Sequence, residues 1–323
     1  MEHIVLAVDL GGTNIRVAAI NEQGIIKKRV QRLTLAHEGE KSVVRSLLSA
    51  LEELYRAFPE NQIKGVGIGI AGVIDIKEGI ITQSPNLVGF DGYPLRDKLR
   101  VSFFKHLTIM IDNDANLAAM GEKWKGAGVG INDLICLTLG TGIGGGIIIQ
   151  GRLVHGADGM AGEVGHITVD PQGPQCNCGN RGCLESLASA TAIRREAVEA
   201  LPRHPESELH QRCRHDPETI TAEMVYQSAT AGDRVARKIF QDMGRYLGIG
   251  IASLINILNP EMVVLGGGVS KSWNMFSPFA KEEVQKRALK IPAARAKIVP
   301  GVCGDDAGLL GAAYLVFHSE RFS

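Results

Sequence analysis

Three cysteines crowded into a glycine-rich loop limit what this chain can fold into more than any other feature. Residues 163–185 read EVGHITVDPQGPQCNCGNRGCLE, with Cys176, Cys178 and Cys183 inside eight residues and His166 ten residues before the first of them. Three thiolates and one imidazole complete a tetrahedral zinc shell, and a shell filled by side chains is structural rather than catalytic. Gly179 and Gly182 allow the tight reversals that turn all three sulfurs towards one ion. Cysteine is also a common core residue. Cysteines packed into a glycine-rich loop cannot all be core, however, so metal is the expected reading. Disulfide pairing is disfavoured by compartment. No apolar leader precedes the first strand and no run of about 18 apolar residues occurs, so the chain reads as cytoplasmic, where thiols stay reduced.

Glu163 and Glu185 flank this knot, and neither is needed to neutralise an ion already facing three thiolates. Carboxylates at the rim of a rigid metal knot are placed to accept hydrogen bonds from a polyhydroxylated ligand. A solvated surface acid or a helix-start glutamate is the plainer alternative, and spacing alone leaves both open. The metal is therefore read as a brace for a ligand site. Lys plus Arg and Asp plus Glu each number 35, a net charge of zero, which offers no electrostatic footprint for nucleic acid or an anionic membrane. A length of 323 residues accommodates two domains. Glycine accounts for 39 of them, well above the average of roughly 7%, and the excess is expected in loops after strands where backbone approaches a ligand. Cys136, Cys213 and Cys303 are scattered and read as packed or free thiols.

From the start of the chain, Ile4 to Val8 reads as a strand, Asp9-Leu10-Gly11-Gly12-Thr13-Asn14 as a glycine turn, and Ile15 to Ile20 as a second strand. Such a turn exposes backbone N–H groups to an anion, with the Thr13 hydroxyl and the Asp9 carboxylate beside a hydrated cation; a plain hairpin turn fits the same letters. Ser42 to Phe58 has a helical apolar face of Val43, Leu47, Leu51 and Leu54. Gly67 to Gly72 formally matches G-x-G-x-x-G, but strand-like residues follow it instead of an amphipathic helix, so a dinucleotide site is not expected. Asn86 lies in a loop able to present its amide to a ligand. Leu107 to Ile111 runs as a strand into Asp112-Asn113-Asp114-Ala115-Asn116, ahead of a helical stretch from Leu117. A carboxylate at that junction is held ionised by the helix dipole, and two aspartates with two asparagines exceed what capping needs. Leu134 to Leu139, then Gly140-Thr141-Gly142-Ile143-Gly144-Gly145-Gly146, then Ile147 to Gln150 repeat the N-terminal strand–turn–strand pattern. Two such hairpins suggest a duplicated α/β unit with a nucleotide between the copies. Ala188 to Leu201 and Asp233 to Leu258 read as helices, joined through a polar connection at 204–217. Met262 to Leu265 is a strand ending in Gly266-Gly267-Gly268, and Asp305 to His318 is an apolar helix.

Taken together, DLGGTN at 9–14, NDAN at 113–116, GTGIGGG at 140–146, EVGH at 163–166, CNCGNRGCLE at 176–185 and LGGG at 265–268 resemble the ROK family of bacterial sugar kinases and repressors, in the right order over essentially the whole chain. Within it the likeness is greatest to ATP-dependent glucokinases. The resemblance implies the actin-like, hexokinase-type ATPase fold: two RNase H-like α/β domains around an inter-domain cleft, the small one at 1–116 with 305–323 and the large one at 117–304. It implies that Asp114 takes the proton of the sugar's 6-hydroxyl, and that Asn86, Asn113, Asp114, Glu163, His166 and Glu185 hold the sugar. Gly11, Gly12, Thr13, Asn14, Thr141 and Gly142 would line the phosphates of ATP, Asp9 would stand near Mg2+, and Gly267 and Gly268 would lie against adenosine. His166, Cys176, Cys178 and Cys183 would bind structural Zn2+, His166 serving metal and sugar through its two nitrogens. Phosphoryl transfer needs positioning and charge neutralisation above covalent chemistry, which this inventory suits.

The expected partners are a hexose and ATP, in a homodimer or dimer of dimers, without nucleic acid or membrane. Glucose is the expected acceptor; N-acetylglucosamine, N-acetylmannosamine, fructose and mannose are rivals that share the motifs. A repressor of the same family would carry a helix-turn-helix ahead of the first turn, where only eight residues precede Asp9. A zinc-stabilised sugar-binding or regulatory protein without catalysis is the other alternative, opposed by the intact Asp114 and both turns.

Overall fold

The computed structural model describes residues 2–101, 104 and 106–321. In chain order the strands are β1 (Ile4–Leu10), β2 (Asn14–Asn21), β3 (Ile26–Leu33), β4 (Ile63–Ile70), β5 (Val73–Asp75), β6 (Ile80–Gln83), β7 (Thr108–Asn113), β8 (Leu134–Leu139), β9 (Ile143–Ile149), β10 (Arg152–Leu153), β11 (Met262–Gly266) and β12 (Lys297–Pro300). The helices are α1 (Glu40–Tyr55), α2 (Leu95–Val101), α3 (Asp114–Lys125), α4 (Leu184–Ala188), α5 (Ala190–Ala200), α6 (Leu209–Arg212), α7 (Ala222–Ala231), α8 (Arg234–Leu258), α9 (Trp273–Arg287), α10 (Lys290–Arg295) and α11 (Ala307–Phe317). Two compact units result: residues 1–131, 146–162 and 302–323 form the first, and residues 132–145 and 163–301 the second.

Strand β1 is the axis of the first unit. It is buried on both faces, so its apolar run from Ile4 to Val8 is unbroken where a half-exposed strand would alternate. Ile4, Leu6, Val8 and Leu10 share one core with Val43, Leu47, Leu51 and Leu54 of α1. Val5 and Ala7 share another with Leu117 of α3 and with Leu309, Ala312 and Val316 of α11. The sheet order is β3-β2-β1-β4-β7, antiparallel from β3 to β1 and parallel from β1 to β7.

The second sheet repeats this order as β10-β9-β8-β11-β12, with β9 and β10 antiparallel and β8, β11 and β12 parallel. Residues 11–13 and 140–142 are thus the same turn in two copies of one topology, the duplication that the sequence suggested. Asp233 caps the long α8, its carboxylate accepting from Ala236 N at 2.9 Å, Glu208 N at 2.7 Å and the Ser207 hydroxyl at 2.7 Å. Burial pushes this carboxyl up, but those donors outweigh it and hold it below its ordinary value.

Several expectations are corrected. Much of the glycine excess serves packing. A side chain on Gly67 would run into Ala312 O of α11, and one on Gly311 into Leu117 O of α3; the false dinucleotide fingerprint is a strand that must let a helix lie close. Gly244 and Gly248 do the same for α8 against α9, here as glycines inside a long helical stretch lead one to expect. The first unit continues past 116 because α3 packs on α11 within it. Helix α3 begins at Asp114, and β9 begins at Ile143, inside the glycine run read as turn. Strand β3 and helices α7 and α9 went unforeseen: β3 is charged and mostly exposed, and α9 contains Pro278, ordinarily a breaker. Among the described residues, no helix is long and apolar enough to cross a membrane.

Candidate functional site

In the second unit the loop 166–183 closes on itself. Cys176 N donates to Asn180 O at 2.8 Å, Gly182 N to Pro174 O at 2.8 Å, and Val169 N to Gly182 O at 2.9 Å. Gly182 adopts φ +64°, and a side chain there would run into Asp170 O. These ties bring His166, Cys176, Cys178 and Cys183 together with every candidate ligand atom within 4.8 Å of the others. Cys178 Sγ lies 3.7 Å from Cys183 Sγ, and Cys176 Sγ 3.7 Å from His166 Nδ1. A tetrahedral ion with sulfur bonds of about 2.3 Å sets edges of about 3.5 to 3.8 Å, so the donor set fits one metal ion of that size. Burial pushes the Cys183 thiol up to about 12 and raises Cys176, while the Asn180 backbone N–H lowers Cys178. A dication offsets that burial, because a coordinated thiol gives up its proton. With Nδ1 turned to the sulfurs, His166 Nε2 is left facing the Glu163 carboxylate at 3.8 Å.

The knot also reaches the turn between β8 and β9. Glu185, in the first turn of α4, accepts from Ile143 N at 2.9 Å, and a side chain on Gly142 would collide with its carboxylate. At the next peptide, Gly165 lies so close to Ile143 O that no Cβ fits. Ala190 N donates to Gly140 O and the Thr191 hydroxyl to Thr141 O, each at 2.8 Å. Thr141 is itself exposed. Gly267, at φ +82°, lies against Leu139 at the end of β8, and Gly268 stands open beside it.

In the first unit the parallel strands end level, with Asp9 opposite Gly69 and Gly69 opposite Asp112. Asn113 caps α3, accepting from Ala115 N at 2.9 Å and Asn116 N at 3.2 Å, while its amide donates to Gly72 O at 3.1 Å. Asp114 is the first helical residue, half-buried, with one oxygen 2.9 Å from Ala115 N. The turn after β1 is closed by Gly11 N to Asn14 O at 3.0 Å, and Gly12 abuts the exposed Asn86, whose Cβ would lie 3.1 Å from a Cβ there. Asn14 accepts from Gln31 at 3.1 Å. Asp9 is not open to a cation alone: it pairs with Arg16 across the strands, Arg16 Nε lying 3.0 Å away.

The second unit therefore gathers Glu163, His166, Glu185, the cysteines and the 140–142 turn, while the first gathers Asp9, the 11–14 turn, Asn86, Asn113 and Asp114. Sequence reasoning missed Gly165, Thr34, which holds the first turn, and the Asp112–His155 pair. Only an Asp immediately before NDAN hinted at the last.

A family model described as ROK family matches residues 5–319. A glucokinase of Halalkalibacterium halodurans is 40% identical over 320 residues, 98% of this chain and 96% of that protein. A xylose repressor of Caldicellulosiruptor bescii is 34% identical over 315 residues, 97% of this chain and 77% of the repressor. Among solved structures, a ROK family glucokinase from Streptomyces griseus in complex with glucose and AMPPNP matches with a TM-score of 0.82 at 33% identity, covering 97% of this chain and 98% of that one.

Proposed function

The chain belongs to the ROK family, and from that premise we infer an ATP-dependent hexose kinase that phosphorylates glucose at its 6-hydroxyl. The observation that carries the mechanism is the Asp114 carboxylate at the strand–helix junction, beside an Asn113 amide fixed at both ends. In this reading Asp114 takes the 6-hydroxyl proton as the oxygen attacks the γ-phosphorus, and ADP leaves with the cleaved bond's electrons. Asn86, Asn113, Glu163, His166 and Glu185 serve the remaining hydroxyls. Gly11, Gly12, Thr13 and Asn14, with Thr141 and Gly142, supply backbone and hydroxyl donors to phosphate oxygens; Gly267 and Gly268 offer a side-chain-free surface to adenosine. Asp9, paired with Arg16, would stand near Mg2+, which when bound would neutralise phosphate charge.

The proposed ion of the knot is Zn2+, held by His166, Cys176, Cys178 and Cys183 and acting as a brace. Held through Nδ1, His166 would keep Nε2 in one direction towards a sugar hydroxyl. A knot of free thiolates requires a reducing compartment, and the cytoplasm is the one proposed. The assembly proposed is a homodimer or dimer of dimers, to be read by light scattering.

The test is ADP release with ATP and Mg2+ over glucose, mannose, fructose and the two N-acetyl hexosamines. Glucose should give the highest kcat/KM. A higher value for another sugar reassigns the acceptor, and no turnover with any sugar sinks the kinase reading in favour of a regulator. Asp114→Asn should fold and bind glucose yet lose about 10²- to 10⁴-fold in kcat.

A further inference from the structure

Strands β9 and β10 join through Gln150 and Gly151, both at positive φ, and pair Ile148 with Leu153. This tight hairpin delivers His155 to the end of β7. There His155 Nε2 lies 2.8 Å from Asp112 Oδ2, with the Asp112 side chain 1% exposed and the His155 side chain 23% exposed. The other oxygen, Asp112 Oδ1, accepts from Asn113 N at 2.7 Å and from Asn116 Nδ2 at 2.9 Å. A buried carboxylate thus collects donors from the residues on either side of Asp114. Asn116 commits its side-chain amide nitrogen to this contact although its buried Oδ1 has no hydrogen-bond partner among the described residues. A fold that leaves a buried amide oxygen unsatisfied in order to hold a carboxylate is using that carboxylate for position. Loop residues 155–161 close by Ala161 N to His155 O at 3.1 Å, which gives the imidazole a fixed base.

We propose that His155 is a positioning residue for phosphoryl transfer: through Asp112 it fixes the first turn of α3, and with it the direction of the Asp114 carboxylate. His155 touches no reacting atom in this scheme. With Nε2 carrying its proton it donates to Asp112 Oδ2, leaving Oδ1 to Asn113 and Asn116. Without that donor the Asp112 carboxylate turns to find another, and the first turn of α3 turns with it. A base displaced by a fraction of an ångström still lets sugar bind but misses the near-attack geometry, at a cost of up to about 10²-fold.

The inference rests on Asp114 being the base, so Asp114→Asn runs in the same assay. If Asp114→Asn keeps wild-type kcat, that reading fails whatever His155 does. Otherwise His155→Ala should lower kcat by about 10- to 100-fold with KM for glucose and for ATP each within about threefold. His155→Gln, whose amide can still donate to Asp112, should recover most of that kcat. A structural role alone would lower the melting temperature of both variants without this split and without the rescue. Wild-type kcat in His155→Ala, a loss that falls on KM, or an equal kcat loss in both variants overturns the proposal. Should His155→Ala fail to fold, Asp112→Asn takes its place, keeping the shape while removing one acceptor. It must lose kcat at constant KM, and wild-type kcat there overturns the proposal as well.

Discussion

The turn after β1 and the turn after β8 occupy equivalent places in two sheets of the same order, yet they are held in different ways. The first is braced from inside its own hairpin. Gly11 N reaches Asn14 O at 3.0 Å, the Thr34 hydroxyl reaches Gly11 O at 2.6 Å, and Thr34 N reaches Thr13 O at 2.9 Å. All three ties come from β1, β2 and the residue that follows β3. The second is braced from outside. Its Ile143 N–H is held by Glu185 and its Ile143 carbonyl lies against Gly165, and Thr191 and Ala190 take the carbonyls of Thr141 and Gly140. Glu185 follows Cys183 and Gly165 precedes His166, so the same segment that forms the metal knot also shapes the second turn. The two copies share the fold of the turn, while the second takes its support from the segment that carries the candidate metal ligands. Sugar, metal and one set of phosphates should therefore respond together, and the other set should not.

The largest expected effect separates the turns by a single methyl group. Gly165→Ala places a Cβ against Ile143 O, a backbone atom that must move. Gly11→Ala places one 3.2 Å from Asn14 O, a contact relieved by a few tenths of an ångström. A displacement near 1 Å at a reacting centre costs about 10²-fold, so Gly165→Ala should lose about that much in kcat/KM for ATP. Gly11→Ala should lose much less. Steady-state kinetics on both variants decides the point, and equal losses would show that the second turn has no tighter external support than the first.

Next in size is the metal itself. Cys178→Ser removes the exposed sulfur of the cluster and touches neither Glu185 nor the 140–142 turn directly. Loss of a residue around a metal commonly costs 10- to 100-fold, at about which scale KM for glucose should rise through His166. KM for ATP should rise too, by less, because the knot reaches the turn only through Gly165 and Glu185. Elemental analysis beside both KM values tests this. A folded, metal-free Cys178→Ser protein with wild-type KM for glucose would leave the metal a remote staple.

How legible this was depended on how local each cause is. Ile4 to Val8 announces itself because burial on both faces makes every position apolar. The cluster of His166, Cys176, Cys178 and Cys183 can be read because the four are close in the chain and such a set has few other uses. Asp114 could be read from the excess of Asn and Asp at one strand end. The supports could not. Gly165 matters because Ile143 O, more than twenty positions away, lies against it. His155 matters because a hairpin carries it to Asp112, 43 positions upstream. Thr34 looks like any threonine after a charged strand. The G-x-G-x-x-G match at 67–72 is rightly set aside, and the structure gives its cause: Gly67 lets α11 lie close on β4.

The smallest effect should come from the first turn, and it isolates what self-bracing contributes. The Thr34 side chain is fully buried and its hydroxyl donates to Gly11 O at 2.6 Å. Thr34→Val keeps the shape, removes the donor and leaves a carbonyl short of one partner, a change of about 1 to 3 kcal/mol in a buried setting. The backbone bond from residue 34 to Thr13 O does not depend on the side chain, so the turn should loosen without opening. Expected are a melting temperature lower by a few degrees, a modest rise in KM for ATP, and no change in metal content or KM for glucose. Those last two quantities carry the argument, because they belong to the knot. If Thr34→Val raises KM for glucose as Cys178→Ser does, the turns are not independently supported, and the division between a self-braced copy and a metal-braced copy is wrong.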